Sequence, residues 1–255
     1  LSAFATNQAK GYLVAMTVLG AVGLVSYLIT YATVEEHVKM AVVENDPSQK
    51  VGIITYLKLL SKNRPFIAVC IASLGMLFGM MMNMSMMAYY FSDNLNNMRA
   101  MGIATVISML PGILLAPFLS RLVRRFSVKK VVSVSSLLAA ISYAAILFFP
   151  SNLWIYIVLS GIGGLFMNIP STLVYGMVSD CIDYNQYICG ERQEGAIYGS
   201  YSFVRKMGQA LAGLIGGAGL TIVGYQAGAA QSASTLFGIK FLTVGAPAIG
   251  LIIAY

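Results

Sequence analysis

Residues 153–213 read LWIYIVLSGIGGLFMNIPSTLVYGMVSDCIDYNQYICGERQEGAIYGSYSFVRKMGQALAG. From Leu153 to Val178 there is no charged side chain. A membrane-crossing helix needs about 20 mostly apolar residues, so a spanning helix is expected over 152–178. A polar patch, Ser179–Gly195, then carries Asp180, Asp183, Glu191 and Glu194, four of the nine acids in the chain, with Cys181 and Cys189. A second apolar run follows over 195–224. Two apolar runs joined by one charged patch predict two helices crossing a bilayer in opposite directions, with the patch read as a loop in water.

The same reading extends outward. The chain is 58% hydrophobic and 10% charged, with a mean hydropathy of +0.78. Soluble domains carry about 25% charged residues, and a chain this apolar could not cover its own surface. Seven spans are expected: 11–33, 65–91, 100–120, 130–149, 152–178, 195–224 and 236–255. Charged, basic or small polar segments separate them: VEEHVKMAVVENDPSQK (34–50), SDNLNNM (92–98), RLVRRFSVKK (121–130), PSN (150–152) and YQAGAAQSAS (225–234). Barrel strands would be about ten residues long and alternating; these runs are longer and do not alternate. The predicted class is an all-α polytopic membrane protein. The chain starts at Leu1 and ends in an apolar run at Tyr255, and is expected to be part of a longer protein.

Alternating the sides places Lys39, Lys50, Lys58, Lys62, Arg64, Arg121, Arg124, Arg125, Lys129, Lys130, Arg192, Arg205 and Lys206 on one side, and Lys10, Arg99 and Lys240 on the other. The richer side is expected to be cytoplasmic, which puts the Ser179–Gly195 patch there. The net charge of +7 follows from this bias and calls for no nucleic-acid partner. Residues 50–64 (KVGIITYLKLLSKNR) read as an amphipathic helix on that surface.

Some charges fall where lipid should be. With the sixth span starting near Gly195, Lys206 lies roughly 16 Å along it, near the midplane. Intramembrane cations face a cavity or a partner. At helical spacing, Gly195, Tyr198, Ser202, Lys206, Gln209 and Gly213 form one polar stripe, with Arg205 about 100° away from Lys206. The middle of the fifth span adds Asn168, Pro170, Ser171, Thr172 and Tyr175. Gly161, Gly163, Gly164, Gly213 and Gly217 read as sites of close helix contact. Seven methionines within 76–87 read as flexible filling rather than a copper site, and His37 as solvated.

The acidic patch invites a catalytic reading. A glycosidase acid pair must flank a sugar in a cleft, and a short loop offers none. Cys181 and Cys189 lack the second cysteine pair or histidines of a zinc site. No enzyme and no metal site is expected.

DCIDYNQYICGERQEGAIYGSYSFVRKMGQALAG (180–213) resembles the glycoside–pentoside–hexuronide:cation symporters. The family pattern D-x-x-[DE]-[YF]-x-x-[YW]-x-x-G-x-R-x-E-G-x-x-Y-S, followed by K-x-G-Q-A, is met by Asp180, Asp183, Tyr184, Tyr187, Gly190, Arg192, Glu194, Gly195, Tyr198, Lys206, Gly208, Gln209 and Ala210. Gly199 stands where serine is common. The SASTLFGIKFL entry to the last span also resembles the family, and RKMGQALAG is closest in look to glucuronide transporters.

The resemblance implies the C-terminal part of a major facilitator fold. Residues 1–33 would be the last helix of the N-terminal half, 34–64 the central cytoplasmic loop and 65–255 the C-terminal bundle. It implies secondary active symport of a glycoside, pentoside or hexuronide in a bacterial cytoplasmic membrane, with no cofactor. The site for co-transported Na+ or H+ would lie in the N-terminal half of the same transporter. The sugar would sit between the halves, against Lys206, Ser202, Tyr198, Tyr201, Gln209, Ser171, Asn168 and Tyr175. Ser171 stands where a melibiose-type member has a stacking tryptophan. Asp180, Asp183, Arg192, Glu194, Arg121, Arg124 and Arg125 would form a cytoplasmic ion-pair gate. The alternatives are a transporter of the same fold for lipids or drugs, and a seven-helix retinal or receptor protein with Lys240 as Schiff-base lysine.

Overall fold

A computed structural model describes residues 8–33, 61–189 and 194–255. The chain divides into two compact units, 1–51 and 52–255. The His37 segment and most of the expected surface helix (50–64) lie outside the described residues.

In the first unit, α1 (Gln8–Thr33) is a single apolar helix. Its serine and threonine hydroxyls are satisfied internally: Thr17, Ser26, Thr30 and Thr33 each donate to the carbonyl four residues earlier, at 2.8–2.9 Å. Such back-bonding lets polar side chains sit in an apolar helix.

The second unit is a bundle: α2 (Arg64–Tyr89), α3 (Met98–Phe126), α4 (Val128–Phe148), α5 (Leu153–Cys189), α6 (Glu194–Ile222), α7 (Ala233–Lys240) and α8 (Ala246–Ala254). A wider π turn, Tyr90–Asn94, ends α2, and another, Phe241–Gly245, joins α7 to α8 in one span. Side-chain caps set the starts. Asn63, Asn97 and Ser232 accept from the backbone N–H three residues on. Asn152 accepts from Trp154 and Ile155.

Several ends differ from the sequence reading. Ser179–Cys189 continues α5 rather than forming a loop, since neither Gly nor Pro interrupts it. At 37 residues this helix is roughly 55 Å long, well beyond a hydrocarbon core of about 30 Å. The basic segment 121–130 is likewise helical, as the end of α3 and the start of α4. They meet at one residue, Ser127, with φ +66°. Within α3 the axis bends by 53° between Met98–Gly112 and Pro117–Phe126; Pro117 lacks the N–H that would bond back four residues.

Five described helical stretches are long and apolar enough to cross a membrane, and the bent α3 makes up to six. The 29-residue α6 is long enough but falls below that hydropathy, because Arg205, Lys206 and Gln209 sit together in its middle.

Helix α2 packs on α6 and α8, α3 on α5, and α4 on α5 and α8. Backbones approach closely at Gly75 against Gly250, and at Gly164 against Ser108, where a Cβ would stand 2.6 Å from the Ser108 carbonyl. One cluster around Tyr90, Phe91, Tyr143 and Tyr156 forms the core. Met76, Met82, Met86 and Met87 are buried filling, as expected of them.

Candidate functional site

Helix α6 has two faces. Ile197, Tyr201, Gly208, Ala212, Gly216 and Gly219 are buried. The glycines let α6 press onto its neighbours: a Cβ at Gly208 would meet the Leu74 carbonyl at 3.2 Å, and one at Gly216 would meet Met86 at 3.2 Å. Gly213 and Gly217, expected to make such contacts, instead face open space, with nothing within 4 Å of an added Cβ. They sit off the arc that α2 covers.

Lys206 lies on the far side of α6 from the packed face and is exposed; its Nζ donates to Gln209 Oε1 at 3.4 Å. Ser202 and Gln209 are half-buried, and Tyr198 is 49% exposed. Tyr201 is buried, its hydroxyl 3.5 Å from Ser73 Oγ on α2 and its ring 6.4 Å from that of Tyr198.

Arg205 is the residue that sequence reasoning set aside. Its guanidinium donates to the Tyr175 hydroxyl on α5 at 2.7 Å. It lies 5.4 Å from the Tyr175 ring centre and 5.8 Å from that of Tyr201, within cation–π range. At about 100° per residue, Arg205 and Lys206 bound one arc of α6, with Tyr198, Gln209 and Ser202 between them. The signal was present in the sequence, because a tyrosine half-way along α5 can meet a mid-helix arginine on an antiparallel neighbour.

The α5 residues diverge. Tyr175 joins Arg205, and Ser171 is half-buried. Asn168 lies at the α3–α5 crossing, with Nδ2 donating to the Gly164 carbonyl at 2.7 Å and the side chain covering Gly112.

At the other end of the site, Asp180 and Asp183 sit exposed on the last turns of α5, and Glu194 opens α6. Arg192 lies outside the described residues. Arg121 and Arg125 lie over Phe118 and Phe126 of their own helix, and Arg124 is in the same last turn of α3. Asp180 instead shares the lining of a cavity of about 760 Å3 with Lys129 at the start of α4.

Lys240 is buried, and its amine donates to the Leu147 and Phe149 carbonyls at the end of α4. A cation there complements the negative end of the helix dipole. An amine held this way is not presented to a chromophore.

The described helices thus form a polytopic bundle with two cations on a polar arc half-way along one of them. The chain belongs to the MFS/sugar transport protein family, which it matches over residues 1–255. It is similar to the uncharacterized symporter YjmB of Bacillus subtilis (strain 168), at 29% identity over 97% of this chain and 53% of the relative. It is also similar to two Escherichia coli (strain K12) proteins. One is a putative sulfoquinovose importer (29%, covering 95% of this chain and 51% of the relative), and the other a glucuronide carrier protein homolog (28%, covering 88% and 48%). These relatives are named as symporters, importers or carriers, not enzymes. The chain spans about half the length of the curated relatives it matches. It is a multi-pass membrane protein.

Proposed function

We propose that this chain forms the C-terminal half of a secondary sugar transporter, and that α6 and the middle of α5 line the sugar's path. The observation that carries the reading is the arc from Arg205 to Lys206 in a protein of a sugar-transport family. Hydroxyl, amide and ammonium groups on one face, spaced along about three helical turns, suit a polyol. An exposed cation near mid-span is costly in lipid and acceptable in a water-filled path.

In this reading the sugar lies between this half and an N-terminal half. The coupling Na+ or H+ binds carboxylates of that other half, because α6 carries no acid beyond Glu194. The Ser179–Gly195 segment faces the cytoplasm of a bacterial cell. Asp180 and Asp183, with Lys129 and the arginines of α3 and residue 192, close that side when the centre opens outward.

Uptake of labelled glucuronides, pentosides and galactosides by the full-length protein in proteoliposomes tests this. One or more of these sugars should accumulate with an imposed Na+ or H+ gradient and protect a lysine at 206 from amine labelling. Protection by amphiphiles instead of sugars would favour a lipid or drug substrate and sink the sugar reading.

A further inference from the structure

We infer that Arg205 reads an anionic group, so that the sugar carried is an acidic one bearing a carboxylate or a sulfonate; this rests on the transporter reading above. Arg205 lies eleven residues into α6, roughly 16 Å along the helix. Its partners there, Tyr175 and Tyr201, are neutral phenols. They orient the guanidinium without cancelling its charge. A guanidinium has five N–H donors, and one of its terminal nitrogens is used by the Tyr175 hydroxyl. The planar fork that remains matches an oxyanion in two-point fashion, as a lysine cannot.

Lys206 adds a second positive charge at the other edge of the arc, against the neutral amide of Gln209. The described acids lie elsewhere along the helices: Asp93 beyond α2, Asp180 and Asp183 five and eight residues past Tyr175, and Glu194 at the start of α6. Among the described residues no acid offsets these two cations, so a neutral sugar would meet a positively charged face on this half. An acidic sugar offsets one charge, while Tyr198, Gln209 and Ser202 face its hydroxyls. The Tyr175–Arg205 pair thus sets specificity, and Lys206 serves any sugar that enters.

Matched pairs test this in proteoliposomes holding the full-length protein: methyl glucuronide against methyl glucoside, and a 6-sulfo-6-deoxyglucoside against the same neutral glucoside. The wild type should show a KM at least roughly tenfold lower for one or both acids than for the neutral sugar, the scale of one charged hydrogen bond. The two acid arms show whether carboxylate or sulfonate is preferred. Arg205→Gln should bring the acid-to-neutral KM ratio to near one, and Arg205→Lys should keep part of it. Tyr175→Phe, which keeps the ring and removes the acceptor, should shift the ratio severalfold. The wild-type ratio needs no variant to fold.

Equal or better uptake of the neutral sugar by the wild type overturns the inference and leaves the transporter reading standing. So does an Arg205→Gln effect equal for both sugars, which would mark Arg205 as paired with a protein carboxylate. No uptake of any sugar removes both readings.

Discussion

Lys240 and Lys206 both lie inside helices of the bundle, and the fold treats them in opposite ways. Lys240 is 6% exposed and held by two carbonyls at the end of α4. Lys206 is exposed and reaches Gln209, one turn on in its own helix. The first is a helix cap supplied from a neighbouring element. The second is a charge left open on an arc whose opposite face is tightly packed. Lying within a helix therefore does not by itself separate these two lysines. What they bond to does.

That contrast can be broken by substitution in the full-length protein. Lys240→Met should lower stability most, by about 3 kcal/mol, because it strips the charged hydrogen bonds that a buried amine gives to the carbonyls at the end of α4. A thermal melt of the purified protein reads it, and an unchanged melt would remove the cap assignment. Gly164→Val should follow at about 2 kcal/mol by overpacking against the Ser108 carbonyl, whereas Gly213→Val should stay within about 0.5 kcal/mol. Lys206→Gln should leave the melt nearly unmoved and cut sugar kcat/KM about tenfold, or about 1.4 kcal/mol. If it instead melts like Lys240→Met, the two lysines are alike and the comparison fails. Among the variants expected to move the melt, Asn63→Ala should move it least, by about 1 kcal/mol: Asn63 caps α2 and also donates to the Cys181 carbonyl of α5 at 3.0 Å.

Much of this was legible in the residues. Long uncharged runs specify spanning helices, since lipid offers backbone groups no other partner. Helix ends were less legible. Ser179–Cys189 and Arg121–Phe126 are polar yet helical, because polarity marks where a helix leaves the membrane, not where it stops. The glycines of α6 show the same limit. Gly208 and Gly216 touch α2 and Gly213 does not, although all look alike in sequence.

The stripe through Lys206 could be drawn from helical spacing, which involves one helix only. Arg205 could not be placed that way. Its spacing put it beside the stripe, and its meaning came from Tyr175 on another helix, 30 residues away. By itself the sequence determined an all-α membrane protein, its family and the polar stripe of α6, because hydrophobic runs and i to i+4 spacing are local. Only the tertiary structure decided that Lys240 is a cap, that Arg205 reaches Tyr175 and Tyr201 and that one face of α6 stays open. Each of these depends on which helix lies beside which, and packing between distant segments sets that.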